Sequence, residues 1–294
     1  MRFIKWMYNK THYYCYKILV TIFPVGMSKY KYKRILHKNL DIKNPKTFNE
    51  KIQYLKLNDY YNDKNIELLA DKFEVRKYIE KKGLSFLLND IYGVYDNVND
   101  LDWEQLPNSF VLKCTFGAQR NIIIEDKNKV SKKEVLKKMN YFLKTPFGYE
   151  TVEFHYLKMK RRFLVEKYLE TSDGSYPVDY KVFCMNGKPR IIEVCLNRKS
   201  DMKALFFDLK WNHLNIESKS LPKNIDFEIL KPKKLKDMLN FSVKLSEGFR
   251  FVWVDFFEYR DNLLLSELTF TPAAGCSTTM SDYGQILIGE MLEL

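Results

Sequence analysis

From Pro107 onward the chain is dominated by short apolar runs, rich in β-branched and aromatic residues and bounded by polar turn residues. This pattern predicts β-strands. Two of the runs contain hairpin turns, one at Asn186-Gly187 and one at residues 259–262, where a strand pair reverses direction. The predicted strands and hairpins cover residues 109–115, 121–125, 163–169, 179–194 and 251–269.

Helical periodicity characterises the region before these strands and returns between them. Thr47, with Glu50 three residues later, fits a capping box at the start of a helix. A second helix is predicted over residues 66–81, ended by Gly83, with residues 71–76 mainly exposed. Further helices are predicted over residues 131–144 and 233–245. The fold class is therefore α+β, divided into a basic amphipathic segment at 1–40, a helical subdomain at 41–106 and a strand-rich region at 107–294.

The composition describes a globular protein with an anionic partner. The chain has 294 residues, of which 46% are hydrophobic and 15% aromatic, enough to build a large core. Its formal charge of +12 favours a nucleotide, a membrane surface or an acidic polysaccharide as partner. The sequence contains no zinc-finger pattern, no RNP aromatic motif and no long basic run, so nucleic acid has no specific support.

Cysteine and histidine usage argues against disulfides and zinc. The five cysteines form no close CxxC pair, and an odd number in a chain of this size indicates a reducing, cytoplasmic compartment. The four histidines are too scattered for a zinc site.

The N-terminal 40 residues have two possible interpretations. An apolar stretch at residues 13–26 is interrupted by Lys17 and Pro24, and it is too short to span a bilayer. Basic residues surround this stretch, which is the profile of an amphipathic segment lying on an anionic membrane, at the inner face of the plasma membrane. Alternatively, a helix packs its apolar face on the protein body and leaves a solvated basic face.

Two carboxylates occupy strand positions where the pattern otherwise demands apolar residues. Asp255 and Glu267 lie on the two strands of the predicted hairpin at residues 251–269. A carboxylate at a half-buried strand position is costly unless it is paired, hydrogen-bonded or bound to a metal. Paired strands would let both converge on a hard cation such as Mg²⁺. The alternative is two ordinary solvent-facing strand residues.

A lysine followed by a glycine-containing turn provides a second candidate site. Lys113 lies in the middle of the strand at residues 109–115, and the turn at 116–120 contains Gly117. The ammonium group and the backbone N–H groups of such a turn can share a phosphate. Taken alone, the lysine equally fits a side chain that extends from a strand edge into solvent.

In order along the chain, several short motifs resemble those of the TupA-like ATP-grasp proteins, over roughly residues 30–285. They lie at 45–53, 70–76, 106–113, 179–188, 251–255 and 267–272. The resemblance implies an ATP-grasp fold in residues 107–294, with ATP and Mg²⁺ held between two α+β subdomains. It also implies ATP-dependent joining of a carboxylate to an amine through an acyl phosphate, in bacterial surface-polysaccharide biosynthesis such as that of a capsule or a teichuronopeptide-like polymer.

The resemblance also implies roles for individual residues. Lys113 and Lys181 would contact phosphates, and Gly117 would belong to a mobile cover. The hinge strand would read adenine through its backbone, with Tyr168 near the base and Asp173 near the ribose. The hinge residues are Glu166, Lys167, Tyr168 and Leu169. The Mg²⁺ ligands would be Asp255, Glu267 and Thr269, the last standing where many ATP-grasp enzymes have Asn.

At one position the chain departs from the family pattern, which has Arg two residues before the metal aspartate. Here the residue is Trp253, which cannot stabilise a transferring phosphoryl group by charge. Either Arg198, Arg250 or Arg190 replaces it, or the chain binds nucleotide without efficient turnover. Two alternatives to a ligase therefore stay open: a nucleotide-binding partner in the same glycan pathway, and a glycosyltransferase, for which no suitably placed DxD motif exists.

Overall fold

The computed structural model describes residues 14–171, 176–196, 203–219 and 230–294, and within them two antiparallel sheets with helices packed around them. Residues 14–22 are helical. The longer helices that follow are α1 (Pro24–Leu36), α2 (Phe48–Leu57), α3 (Lys64–Leu69), α4 (Val75–Lys81), α5 (Lys132–Lys144), α6 (Phe154–Lys158), α7 (Leu235–Ser246) and α8 (Asp282–Glu290). The strands are β1 (Ile91–Tyr95), β2 (Phe110–Cys114), β3 (Asn121–Ile124), β4 (Phe163–Lys167), β5 (Asp179–Met185), β6 (Lys188–Leu196), β7 (Lys203–Phe207), β8 (Phe251–Tyr259) and β9 (Asn262–Thr269).

The large sheet has the strand order β7-β6-β5-β8-β9, with every neighbouring pair antiparallel. Both predicted hairpins are confirmed: β5 and β6 turn at Asn186-Gly187, and β8 and β9 turn at Arg260-Asp261. All four turn residues have positive φ, as a two-residue hairpin turn of type I′ requires. One face of this sheet packs against α7, and the other carries the charged residues described below.

The small sheet has the order β1-β4-β2-β3 and is also antiparallel. Strands β2, β3 and β4 coincide with predicted strands, and α5 packs on β2 after starting at the predicted Ser131 cap. Strand β1 was not predicted. Its Ile91–Tyr95 run is only partly buried at the edge of the sheet, so it lacks a clear apolar alternation. The predicted domain boundaries at 40 and 106 stay predictions.

The helix predicted over residues 66–81 is in fact two helices, α3 and α4, so that prediction is wrong. The Asp71 carboxylate accepts the backbone N–H groups of Phe73 and Glu74, which interrupts the helix and starts α4. Asp71 is buried rather than exposed, because its carboxylate also forms an ion pair with Arg162 at 3.5 Å. The hydrogen bonds of Asp71 to the nearby backbone and its ion pair with Arg162 thus break the helix that the apolar periodicity predicts.

Helix α2 connects the helical part of the chain to the large sheet. Its predicted capping box is confirmed, with Thr47 and Glu50 bonding reciprocally to each other's backbone. Phe48, the first residue of α2, packs against Phe183 of β5 and Phe251 of β8, with ring centroids 5.5 and 5.2 Å apart. This packing covers one end of the charged sheet face and leaves the other end open toward the small sheet.

The first two helices lie against the region at residues 149–157. Val20 is fully buried there against Val152 and Phe154. In the described residues no helix combines the length and apolar character needed to cross a membrane.

Candidate functional site

A cavity of about 410 Å³ lies between the small and the large sheet. Its volume falls within the range of small-molecule pockets in proteins, which is roughly 300–1,000 Å³. The small sheet contributes Lys113 and Glu166, and the large sheet contributes Phe257 and Glu267. Seven of the predicted site residues line this cavity: Lys113, Gly117, Glu166, Lys167, Tyr168, Leu169 and Glu267.

A row of four charged side chains crosses the large sheet and ends at the cavity wall. Glu193 of β6 lies opposite Lys181 of β5, which in turn lies opposite Asp255 of β8. Asp255 lies opposite Glu267 of β9. Directly opposed residues have Cβ atoms about 5 Å apart and point to the same face of a sheet. The strand register therefore brings together Lys181, Asp255 and Glu267.

A β-bulge in β9 shapes this wall. Asp255 pairs with Glu267, whereas the next residue, Phe256, pairs with Leu265, so Ser266 is an extra residue. A bulge bends its strand and redirects side chains, and bulges are common beside active sites. Leu265, Ser266 and Glu267 all line the cavity, although regular alternation would turn the middle one away.

Lys181 lies between two carboxylates. Its Nζ is 2.5 Å from Asp255 Oδ2 and 3.1 Å from Asp179 Oδ2. Burial opposes its charge, but these carboxylates outweigh burial and hold the pKa of Lys181 well above its usual value. Burial raises the pKa of Asp255, and the charges of Asp179 and Glu267 raise it further against the opposing effect of Lys181. Asp255 therefore ionises more readily when a second cation joins the site.

Lys72 is a second cation at this wall, and it is not among the site residues predicted from the sequence. It precedes α4, and its Nζ lies 2.9 Å from Glu267 Oε2 and donates a hydrogen bond to Gly117 O at 3.0 Å. Partial burial raises the pKa of Glu267, but Lys72 and Lys181 reverse that effect and bring it below its usual value. The sequence signal for Lys72 is the motif at residues 70–76, which the family resemblance includes.

The two carboxylates fit a Mg²⁺ ion. Oδ1 of Asp255 is buried and has no hydrogen-bond partner among the described residues. A buried carboxylate oxygen of this kind is unfavourable unless a cation completes its surroundings. The described part of the chain holds no group of three or more His, Cys, Asp or Glu side chains arranged for a metal. Mg²⁺ is commonly bound by one or two carboxylates together with substrate phosphates and waters, which matches Asp255 and Glu267.

Thr269, the third predicted metal ligand, lies beside Glu267. Its hydroxyl donates to Glu267 Oε1 at 3.4 Å, and its backbone pairs with that of Trp253. In this geometry Thr269 supports the orientation of Glu267. Its direct coordination of Mg²⁺ stays a prediction.

The opposite wall of the cavity holds the predicted phosphate residues. Lys113 of β2 and Glu166 of β4 form a short ion pair, and both side chains are largely buried. The nearby Gly117 has a φ of +75°, and a Cβ there would approach the Phe147 ring to 2.6 Å, so only glycine fits. Arg120, three residues later, donates to backbone carbonyls at the end of α5 and holds the turn in place.

The predicted hinge strand continues along the cavity. The Lys167 N–H donates to Asp90 O, and Lys167 O accepts from Asn89 Nδ2. These bonds occupy the backbone N–H of Lys167 and one lone pair of its carbonyl. Tyr168 and Leu169 follow directly and line the cavity. Within the predicted hinge, the backbone groups of these two residues are therefore better placed to contact a base.

Of the arginines proposed to replace the arginine that the family resemblance predicts, the two that the structure describes are not beside the carboxylates. Arg250 forms a half-exposed ion pair with Asp59 at 3.0 Å. It also immediately precedes β8 and lies five residues before Asp255, a span of about 16 Å at the usual strand rise. The structure therefore does not bring Arg250 to the two carboxylates, and its catalytic role stays a prediction. Arg190 is exposed where the pairing of β6 with β5 is irregular. Two further predicted positions lie outside the described residues: Asp173 and Arg198.

Trp253 lies on the same sheet face as Asp255, two residues earlier on β8. Its ring packs against Phe183 at 4.9 Å, and Lys181 Nζ lies 5.4 Å from its centroid. Its indole Nε1 is buried without a hydrogen-bond partner among the described residues. The position at which the family resemblance predicts Arg therefore adjoins the charged row through Lys181.

Comparison with family models gives one match. A family model described as TupA-like ATPgrasp matches residues 50–293. No curated protein matches the sequence.

Solved structures similar to the chain include three ligases. D-Alanine–D-alanine ligase from Helicobacter pylori is 16% identical, with a TM-score of 0.49. The match covers 84% of this chain and 69% of the ligase chain. The Bacillus anthracis D-alanine–D-alanine ligase complexed with ATP is 15% identical, with coverages of 76% and 66% and a TM-score of 0.41. An L-amino acid ligase from Bacillus licheniformis is 12% identical, with coverages of 78% and 49% and a TM-score of 0.43. The chain thus spans about half to two thirds of these solved proteins.

Proposed function

The chain belongs to the TupA-like ATP-grasp family, and from that premise we propose that it is an ATP-dependent ligase that joins a carboxylate to an amine. The observation that carries this proposal is the charged row on β6, β5, β8 and β9, which ends at a cavity between two sheets. This arrangement offers fixed cations for a triphosphate beside two carboxylates for Mg²⁺.

The chemistry explains why such a site is needed. A carboxylate does not react with an amine at neutral pH, because oxide is a very poor leaving group. Attack of a carboxylate oxygen on the γ-phosphorus of ATP breaks the bond to the bridging oxygen, which releases ADP and forms an acyl phosphate. The amine then attacks the acyl carbon, loses a proton and displaces phosphate. The protein must neutralise the triphosphate and hold the reacting groups in line.

Three lysines neutralise the phosphates in this proposal. Lys113 acts from the small sheet and Lys181 from the large sheet. Lys72 exchanges its contact with Glu267 for the phosphate when nucleotide enters. Asp255 and Glu267 would hold Mg²⁺, which would neutralise phosphate charge when bound.

In this proposal the hinge binds adenine, and the turn at Gly117 closes over the cavity. Tyr168 and Leu169 lie along the cavity where a base can pack. The turn at Gly117 lies at the phosphate end and excludes water from the reacting groups. Lys72 ties this turn to Glu267 and thereby links closure to the occupancy of the metal position.

We place the reaction in bacterial surface-polysaccharide biosynthesis, in the cytoplasm. The support is the family membership together with the ordered motifs. In this proposal either the carboxylate or the amine is linked to a glycan.

A second candidate function is a nucleotide-binding partner that does not ligate. Trp253 favours it, because the position that adjoins the charged row offers no guanidinium to the transferring phosphoryl group. The two functions make different products. A ligase releases ADP and phosphate only when both an amine and a carboxylate are present.

The test is ADP formation with Mg-ATP and pools of amino acids, amino sugars and uronic acids, each supplied alone and in combination. The ligase is supported by ADP release that requires both partners and by a product with the mass expected for an amide. Nucleotide binding without ADP release favours the non-ligating partner. Release of UDP from UDP-sugars indicates a glycosyltransferase and overturns the proposal.

Matched variants test the assignment of the site. Asp255→Asn and Glu267→Gln keep side-chain shape but remove charge, so folding survives while Mg²⁺-dependent turnover falls by at least about 100-fold. Asp261→Asn, in the exposed hairpin turn between the same strands, is the control and leaves turnover unchanged. Equal turnover in all three variants would show that Asp255 and Glu267 are ordinary strand residues.

A further inference from the structure

We propose that the first two helices form a docking surface for an anionic lipid bilayer. The surface consists of the outward side of the helix at residues 14–22 and the exposed side of α1. It lies apart from the nucleotide cavity and does not depend on the ligase function. Three observations carry it: an apolar stripe that no described residue covers, a strong charge asymmetry, and a buried face that fixes the helices to the body.

The apolar stripe follows helical spacing. Cys15, Ile18, Leu19 and Ile22 are exposed and recur at intervals of three, one and three residues, which places them on one helical face. Ile18 is 57% exposed and Ile22 is 61% exposed, and the adjoining Phe23 is 61% exposed. A contiguous apolar face of this kind on a protein surface marks an interaction site.

The opposite face of the same helix already has a partner. Val20 is fully buried against Val152 and Phe154. On the same side, Lys17 Nζ lies 4.9 Å from the Tyr149 ring centroid. The helix therefore packs on the body through the face that contains Val20 and exposes the apolar stripe on the opposite face. One of the two interpretations of the sequence is that this segment packs on the body. That packing explains the buried face but not the exposed apolar stripe.

Charge identifies the occupant of the free face. Residues 1–40 contain nine Lys and Arg and no Asp or Glu, a net charge of +9. The rest of the chain has 49 − 9 = 40 basic and 37 acidic residues, a net charge of +3. Three quarters of the excess charge thus belongs to the segment that bears the apolar stripe. Basic residues beside an apolar helical face are typical of helices that lie in the interface of anionic membranes.

Exposed cations on α1 complete the surface. Lys29, Lys33 and Arg34 are solvent-exposed and follow one another at helical spacing. Docking of a second copy of this chain on the stripe would bring two such segments together, and they would repel each other because both carry positive charge. A bilayer with acidic headgroups attracts these cations and also buries the apolar stripe.

The anchor also connects the surface to the site. Val152 and Phe154 flank Glu153, a buried carboxylate that accepts a hydrogen bond from Thr271 at 2.5 Å. Thr271 follows β9, which carries Glu267. Docking of the helices would therefore hold the site at a fixed position relative to the bilayer.

The experiment is co-sedimentation of the full chain with vesicles of phosphatidylcholine alone or containing about one third phosphatidylserine. We expect binding to the anionic vesicles only, weakened at least about tenfold in roughly 0.5 M NaCl, because salt screens exposed charges. Ile18→Gln with Ile22→Gln removes the apolar stripe without touching Val20, and it should reduce binding about tenfold or more. Val243→Gln, at an apolar position on α7 that is 48% exposed, is the control and should bind like the wild type.

A second variant tests the charge. Replacing Lys29, Lys33 and Arg34 together by Gln should reduce both the affinity and its dependence on salt, with an unchanged melting temperature. Absence of vesicle binding at low salt overturns the proposal. So does self-association in sedimentation velocity that the Ile18→Gln and Ile22→Gln double variant abolishes, because the stripe would then be a dimer interface.

Discussion

At the scale of single residues, Lys72 is the side chain that the proposed reaction depends on and that sequence patterns alone did not assign. In the structure it neutralises Glu267 and bonds to the Gly117 turn. Lys72→Met removes a phosphate cation, so we expect Mg-ATP affinity to fall about tenfold, equivalent to roughly 1.4 kcal/mol. Isothermal titration measures this. Lys77→Met, an exposed lysine paired with Glu74, is the control and should bind like the wild type.

Trp253 makes a second prediction at this scale. A positioned guanidinium stabilises the charge that spreads over a transferring phosphoryl group, and indole does not. Turnover of the wild type should therefore be slow, and Trp253→Arg should raise it by about tenfold or more. Arg is narrower than indole, so loss of the contact with Phe183 leaves a cavity, and the melting temperature serves as the folding control. A stable variant that is no faster would show that Lys72 or Lys181 already supplies the charge.

At the scale of elements, α2 holds the loop after β9 through the buried Lys56. Its Nζ donates to Thr151 O at 3.1 Å and to Ala274 O at 2.9 Å, and Ala274 has a left-handed φ of 53°. Non-glycine residues in this conformation persist only when their surroundings hold them. The short helix at Pro272–Gly275 directly follows the carboxylate strand, so α2 fixes the shape of one side of the site.

Lys56→Met should destabilise the fold by about 2–4 kcal/mol near neutral pH, because two buried carbonyls lose their donor. Burial lowers the pKa of Lys56 to about 8, below the value of about 10.4 in an unfolded chain. Between these values the unfolded state binds more protons, so the contribution of Lys56 to stability rises with pH. Urea unfolding should show a larger difference in unfolding free energy between wild type and variant at about pH 9.5 than at about pH 7. A difference that does not change with pH would contradict the lowered pKa of Lys56.

At the scale of the whole molecule, the nucleotide is expected to join the two sheets. Lys113 and Glu166 belong to the small sheet, and Asp255 and Glu267 belong to the large one. A ligand that binds only the folded state at about 100-fold over its dissociation constant contributes about 2.7 kcal/mol. Mg-ATP should therefore raise the melting temperature by about 5 °C. Omission of Mg²⁺, or the Asp255→Asn and Glu267→Gln double variant, should remove most of this shift. No shift with the wild type at millimolar Mg-ATP would count against the nucleotide assignment.

The sequence by itself determined seven of the nine described strands, the two tight hairpins, the capping box of α2 and the family. These features are local, since they follow from the alternation of apolar residues, from turn residues that tolerate positive φ, and from short ordered motifs. It also selected Asp255 and Glu267 as unusual carboxylates, because a charge in an apolar strand is visible without a structure. The strands β1 and β7 and the break between α3 and α4 were missed. The exposure of the sheet edge at β1 and the buried ion pair of Asp71 leave no periodic signal.

The tertiary structure decided which charged groups meet. Asp255 faces Glu267 and Lys181 because of strand register, and a slip of one residue would turn each side chain to the opposite face. Lys72 reaches Glu267 because the segment between α3 and α4 docks against the end of β2 and the turn that follows it, where the Lys72 N–H bonds to Thr115 O. Arg250, only five residues before Asp255, ends far from the carboxylates because a strand is extended. Contacts between residues distant in the chain depend on docking and register, which local patterns do not encode.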